Sequence, residues 1–464
     1  MVFLSFFHNL RLLLANNTPV NNTKKKLADY SYLSFLKHHV NGGMLLMIVA
    51  IIAIILANSA LSDAYFSIWK YPVSLQIGNF NLFSHHGESM TLLTFINDAL
   101  MAVFFFSVGL EIKREMLVGE LSNPRQALLP IIAACGGMII PVIIYYAIIL
   151  DAPGSNGMAI PMATDIAFSI GVLSLLGKRV PLSIKIFLTA FAVVDDIGGV
   201  IVIALFYASN IQIGYLISAV VILGLMLLAN NKFEIKSKPF YIFLAVFVWY
   251  LFIQSGVHST VAGVLAAFTI PAKPNINIGR YIERIRENIH TFPVSKNETI
   301  ILNSDQLKNL KSIESASDHV ISPLQSMEDA LYPAVNYFIM PLFAFANAGI
   351  VLFDGGPNVI GKVTLAVALG LLFGKFIGIF SFTWLTVKLK IAVLPEGMCW
   401  KNLAGVSMLG GIGFTVALFI ANLSFGSTEP VLLNQAKLGI VIGTILSGLI
   451  GYLYLNKTLP KVKK

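Results

Sequence analysis

The run "FAVVDDIGGV" over residues 191–200 places two adjacent acids, Asp195 and Asp196, in an apolar stretch whose nearest other charge is Lys185. An acid at the centre of a membrane-spanning helix costs roughly 2.5 to 3.5 kcal/mol on insertion scales, so by default it lines a cavity, an ion path or a proton relay. Three further sites share the oddity: Asp98 in "FINDALMAVFF", Asp165 in "PMATDIAFSIG" and Lys375 in "GLLFGKFIGIF". Buried ion pairs that only hold helices together are the plain alternative, but four acids against one lysine do not balance. Neighbours on a helix point about 100° apart, so Asp195 and Asp196 cannot face one partner together. One can line a cavity while the other turns to a second helix, and the following Gly198 and Gly199 would let another backbone approach closely.

Two apolar stretches look interrupted. "IPMATDIAFSIGVL" carries Pro161, Thr164, Asp165 and Gly171, and "VSMLGGIGFTVALFIAN" carries Gly410, Gly411, Gly413 and Thr415. Non-helical backbone at membrane depth is tolerated only where protein or a water-lined cavity satisfies it, and a matching pair of broken spans points to a transporter's midplane ion site. Facing half-helix ends carry about half a unit charge each, which Asp165 could neutralise at amino ends and Lys375 at carboxyl ends. His258 in "SGVHSTVAGV" reads either as a hydrogen-bonded structural residue or as one titrating near neutrality. Glu111 and Glu115 in "VGLEIKREM" and Glu328 in "SMEDALYP" read either as interfacial salt bridges or as acids that draw cations to a mouth.

The elements that position these residues follow from composition. Of 464 residues 56% are hydrophobic and 12% charged, about half the charge of a soluble protein. The sequence predicts an all-α polytopic membrane protein with twelve spans, near 42–60, 91–112, 126–150, 157–177, 182–208, 211–230, 239–254, 257–271, 331–353, 362–387, 402–424 and 432–456. The broken fourth and eleventh are the middle members of two three-span blocks, which an odd span number makes an inverted repeat. On the side of alternate connections and the two ends, counting Lys185 at the start of the fifth span, lie 28 of the 32 Lys and Arg, all but Lys70, Lys362, Lys375 and Lys437. Both termini are therefore expected in the cytoplasm, and the net charge of +9 calls for no nucleic acid. Residues 1–40 read as a cytoplasmic amino-terminal segment rather than a cleaved signal, 41–271 as spans one to eight, and 272–330 as a cytoplasmic connection with amphipathic helix. Residues 331–456 then hold spans nine to twelve, and 457–464 form a basic tail. Cys135 and Cys399 suggest neither a disulfide framework nor a metal cluster.

From about residue 40 onward the chain resembles the NhaA family of bacterial sodium/proton antiporters. The resemblance is carried by "INDALMAVFFFSVGLEIKRE", "AIPMATDIAFSIGVLSLLGKRVP", "IKIFLTAFAVVDDIGGVIVIALFY", "SGVHSTVAGV", "PLFAFANAGI", "LPEGM" and "GGIGFTVALFIANLSF". It implies Asp196 as principal cation ligand, Asp195 as its neighbour paired with Lys375, and Thr164 and Asp165 on crossed, interrupted helices. It further implies Asp98 on the ion route and Glu111, Glu115, His258 and Glu328 in pH response. The reading is an inner-membrane antiporter, not an enzyme, that exports Na⁺ or Li⁺ against entering protons, electrogenically and under pH control. Asp196, Asp195 and Thr164 would supply oxygen ligands with water, no cofactor is implied, and a homodimer is left open alongside a monomer. The rivals are an intramembrane aspartyl protease, whose glycine-x-glycine-aspartate motif does not occur here, and a symporter or channel on a related repeat.

Overall fold

The computed structural model describes residues 42–460 except 75, 78–79, 82–83, 86–87, 151, 209–210, 275–277, 291–303, 352–359 and 427. The amino-terminal segment 1–40, the end of the basic tail and parts of the 272–330 connection lie outside the described residues.

Each of the twelve apolar stretches holds helix, because in hydrocarbon a chain must satisfy its own N–H and C=O groups. Helix α1 (Gly42–Ala57) turns by 114° into α2 (Ser62–Trp69). Next come α3 (Leu92–Val118), α4 (Pro124–Ile149), and a 3₁₀ turn (Ser155–Met162) leading to α5 (Ile166–Ser174). They are followed by α6 (Leu182–Phe206), α7 (Ile213–Asn231), α8 (Lys238–Ser255) and the short α9 (Ser259–Thr269). Helices α10 (Ile278–His290) and α11 (Ser304–Val320) occupy the expected cytoplasmic connection, where Asn288 Nδ2 donates to Ser312 Oγ at 3.2 Å. Helix α12 (Pro323–Ala334) straddles the expected boundary at 330 and runs through a π-helical turn (Val335–Ile339) into α13 (Met340–Asn347). The last are α14 (Lys362–Lys388), α15 (Trp400–Leu409), α16 (Phe414–Phe425) and α17 (Pro430–Thr458), with α15 and α16 bent by 44°.

Among the described residues eight helices are long and apolar enough to cross a membrane, or up to ten if each bent pair is one span. The chain is thus a mostly helical, multi-pass membrane protein. One stretch departs from the all-helical expectation. Between α2 and α3, β1 (Pro72–Val73) and β4 (Ser84–His85) pair antiparallel with β5 (Glu88–Thr91), in registers Pro72↔Thr91 and Ser84↔Ser89. A second ribbon pairs β2 (Gln76–Ile77) with β3 (Phe80–Asn81).

Small residues set the spacing of the helices that carry the charges. A Cβ on Gly378 of α14 would stand 2.1 Å from the Gly136 carbonyl oxygen of α4, and one on Gly136 would stand 2.4 Å from that of Gly378. The two spans touch backbone to backbone about one turn from Lys375. Helices α3 and α9 are as close, since a Cβ on Gly263 would meet the Ala102 carbonyl oxygen at 2.4 Å. That contact holds the start of α9, with His258, beside Asp98. The expectation for Gly198 and Gly199 fails: a Cβ on Gly198 would meet the flexible Met138 side chain, and one on Gly199 would meet nothing within 4 Å.

Gly378→Ala should therefore force α4 and α14 apart and lower the melting temperature in detergent, since overpacking costs about 1 to 3 kcal/mol and more where backbone must move. Gly224→Ala in α7, where a Cβ meets nothing within 4 Å, should be neutral or slightly stabilising. Equal melting temperatures for the two variants would contradict the backbone contact.

Candidate functional site

The two interruptions cross one another. Residues 163–165 lie extended between the 3₁₀ turn and α5, and residues 410–413 separate α15 from α16. The Asp165 N–H donates to the Ile412 carbonyl at 2.7 Å, Thr164 Oγ1 donates to the Gly410 carbonyl at 2.9 Å, and Ser169 Oγ donates to the Leu409 carbonyl at 3.1 Å. A glycine is required on the other strand of the crossing, because a Cβ on Gly413 would sit 2.7 Å from the Ala163 carbonyl oxygen.

Asp165 ties both breaks together. Its Oδ1 accepts from Phe168 N at 2.9 Å and caps α5, while its Oδ2 accepts from Thr415 N at 3.1 Å and Thr415 Oγ1 at 2.6 Å, at the start of α16. One carboxylate thus meets two helix amino ends, where partial positive charge collects. At the carboxyl end of α15 the hydroxyls of Thr164 and Ser169 take the exposed carbonyls, and Lys375 goes elsewhere. Its Nζ lies 2.7 Å from Asp195 Oδ2, and its side chain has no solvent exposure.

The adjacent acids on α6 point apart. Asp195 binds Lys375 through Oδ2, and its Oδ1 is buried without a hydrogen-bond partner. Asp196 instead lines a cavity of about 220 Å³ shared with Thr164, Asp165 and Thr415. The cavity runs past Ser107 to Glu111 and to Tyr332, which is 62% exposed. Oxygen atoms of Asp196, Thr164, Asp165 and Thr415 line this cavity, of the kind a hard cation takes, whereas Asp195 lies beside Asp196 without lining it. Among the described residues no group of three or more His, Cys, Asp and Glu side chains is placed to hold a resident metal ion.

The remaining singled-out residues fall into two places. At one end, Arg114 bridges Glu115 Oε1 and Glu328 Oε1 at 3.0 Å each, beside Glu111 on the cavity wall, and Glu115 Oε2 accepts from Glu120 N at 3.2 Å. At the other, Asp98 does not line the cavity. It sits in a π-helical turn (Ile96–Leu100), with its Oδ1 3.5 Å from His258 Nε2 and its carbonyl accepting from Ser259 Oγ at 3.2 Å. His258 caps α9, its Nδ1 lying 2.9 Å from Thr260 Oγ1. Another π-helical turn (Gly370–Gly374) immediately precedes Lys375; single π turns inside α-helices recur at functional sites.

Sequence reasoning had Thr415 only as part of a break, whereas its hydroxyl is a direct donor to Asp165. Arg114 was not singled out, although an arginine between two glutamates at a span end was a visible cue. Three asparagines in apolar runs, Asn97, Asn347 and Asn422, also went unremarked.

A family model described as Na⁺/H⁺ antiporter 1 matches residues 33–455. The chain is 62% identical over 434 residues to the Na(+)/H(+) antiporter NhaA of Phocaeicola vulgatus, across 93% of this chain and 97% of that protein. It is 58% identical over 432 residues to the protein of the same name from Bacteroides thetaiotaomicron, across 93% and 98% of the two chains. For that of Helicobacter pylori the identity is 44% over 428 residues, across 91% and 94%. With its crossed breaks and paired intramembrane charges, the chain belongs to the Na⁺/H⁺ antiporter 1 family.

Proposed function

We propose that sodium/proton antiport in this chain turns on Asp196, whose carboxyl takes either a proton or a sodium ion and never both. The carrying observation is the position of Asp196 on the cavity that begins at Glu111, next to the Asp195–Lys375 pair and the crossed breaks. Na⁺ or Li⁺ would be held by Asp196, by Asp195 Oδ1, by Thr164 and by water, and the breaks would let the site open alternately to the two sides. The long apolar helices, with α9 and the α12–α13 rod, support twelve spans in which α4–α6 and α14–α17 form the inverted blocks. The cluster of bases supports a cytoplasmic position for both termini and for the Glu111 end of the cavity, in the inner membrane. An aspartyl protease would need two carboxyls converging on one water, and here one of the pair is taken by a lysine.

Exchange is read directly as Na⁺-dependent collapse of an imposed pH gradient in proteoliposomes, with K⁺ as comparison. Asp196→Asn should remove exchange while the protein still folds, and Asp196→Glu should retain it with weakened Na⁺ affinity. Unchanged Na⁺ affinity and turnover in the Asn variant would sink the assignment.

Competition at one carboxyl also sets a pH dependence. Where Na⁺ displaces the proton on Asp196, the half-saturating Na⁺ concentration should rise about tenfold for each unit by which pH falls once the protonated form dominates, and more steeply where a second proton is released with it. Glu111→Gln, Glu115→Gln, Glu328→Gln and His258→Ala should move the pH profile without abolishing exchange. A half-saturating concentration that stays constant across the activating range would contradict competition.

The third expectation concerns charge. One-for-one exchange moves no net charge, whereas two protons against one Na⁺ gain roughly 2.3 kcal/mol per 100 mV. We assign the second proton to Lys375: Na⁺ draws Asp195 away, the lysine left without its counter-ion in a dry site loses a proton, and reprotonation restores the pair. Lys375→Gln should then still exchange but no longer respond to a potassium diffusion potential. Exchange still accelerated by an inside-negative potential would move the second proton to Asp195.

A further inference from the structure

We infer that Asn97, Asn347 and Asn422 form the external gate: a chain of side-chain amides that holds α16 against α13 and α3 while the ion site is open at the Glu111 end. The inference rests on the alternating-access reading above.

Asn422 Nδ2 donates to Asn347 Oδ1 at 2.9 Å, and Asn347 Nδ2 donates to Asn97 Oδ1 at 2.9 Å. Each donating amide is also tied to its own helix, Asn422 to the Leu418 carbonyl at 2.8 Å and Asn347 to the Phe343 carbonyl at 3.0 Å. An Nδ2 group has two hydrogens, so the donor groups of both amides are fully engaged. Amides in apolar helices are costly unless paired, and here each compensates the next.

The order of residues along the three helices gives this chain its place. From the cavity outward, α16 presents Thr415, then Phe419, then Asn422; α13 presents Met340, Phe343 and Asn347; α3 presents Ser107, Phe105 and Asn97. Phe419 packs on Phe105 and Phe343 at ring separations of 5.8 and 6.3 Å and on the His258 ring at 5.1 Å. The cavity from Glu111 thus ends below an aromatic layer, and the amide layer stands beyond it. None of these phenylalanines or asparagines lines the cavity.

Helical cross-linking alone would not need this placement. The twelve-residue α16 carries Thr415, bonded to Asp165 in the ion site, at one end and Asn422 near the other. A movement that turns the site toward the Asp98 side must displace α16, and Asn422 must then leave Asn347. Amides suit such a joint because each of their groups can re-bond to water when the path floods, whereas a buried ion pair would resist opening.

The test measures sidedness in proteoliposomes of the full-length chain with known orientation. Half-saturating Na⁺ is determined separately from the external and cytoplasmic faces for the wild type, for Asn422→Leu, which keeps size but cannot bond, and for the milder Asn422→Ser. Losing the cross-helix bond should favour the externally open state by about three- to tenfold. External half-saturation should fall and cytoplasmic half-saturation rise, with the Leu variant shifted more than the Ser variant. A purely structural role would lower the melting temperature and leave the ratio of the two half-saturation values at its wild-type level in whichever variant folds, which would overturn the gate. Absence of exchange in the wild type would remove the antiport reading itself, and the gate with it.

Discussion

Everything at the crossing of the two breaks depends on one carboxylate placed between two helix amino ends. Asp165 accepts from Phe168 N, Thr415 N and Thr415 Oγ1, and so compensates two half-helices that would otherwise point partial positive charge at each other across a few ångströms. Without it the crossing would repel, and unwound backbone cannot persist in hydrocarbon unless its groups are satisfied. The carbonyls of the second break are met in turn by Thr164 and Ser169. These bonds link two segments about 250 residues apart in sequence into a single joint whose parts are held by side chains rather than by continuous helix. Such a joint can be re-made in a second arrangement at modest cost, which a continuous helix cannot.

With that joint in place, the adjacent acids of α6 divide into different tasks because helix geometry forces them to diverge. Asp195 is compensated by Lys375 in a fully buried pair. Breaking such a pair by removing one partner leaves an uncompensated charge, which is strongly unfavourable, so the state of either member is coupled to the other. Asp196 lines the cavity, where on the proposed reading its charge would be balanced by a cation that comes and goes. A fixed counter-charge beside a mobile one is an arrangement by which the proposed binding at Asp196 would be felt at Lys375. The backbone contact of Gly136 with Gly378 matters for the same reason, since it fixes α14 in depth and rotation near the lysine.

Much of this was legible in the sequence, for identifiable reasons. Hydropathy located helix-forming stretches because the bilayer sets their length, and the anomalous Asp98, Asp165, Asp195, Asp196 and Lys375 stood out because charge is costly there. The 100° step between neighbours was enough to separate Asp195 from Asp196. Contacts distant in sequence were not legible from the residues alone. That Lys375 lies against Asp195 came from family resemblance, and local reasoning had offered it the helix carboxyl ends instead. Gly198 and Gly199 were given a packing role that belongs to Gly136 and Gly378, because a glycine's surroundings are set by the partner helix and not by its own segment. The strands at 72–91 were missed because two- and four-residue strands leave no usable period. Thr415 was read as a helix breaker because the partner that gives its hydroxyl a role lies on a distant segment.

The two sides of the site are built from different interactions, and the difference has a physical logic. Toward Glu111 the wall is ionic: Glu115, Arg114 and Glu328 form a largely buried chain of charges, with Arg114 its most exposed member. Toward Asp98 the barrier is aromatic and amide, with a single histidine–aspartate contact at 3.5 Å among apolar rings. On the proposed reading, charges at the first end would face the cytoplasm and meet an ion before it reaches Asp196, while rings and neutral amides at the second would exclude water without holding a net charge that would trap the cation. An ion released toward the Asp98 side would, on that reading, meet neutral amides and a carboxylate 3.5 Å from His258, weaker competitors than Asp196. Such an asymmetry would let the single carboxylate proposed for exchange bind strongly enough to select its ion and still give it up.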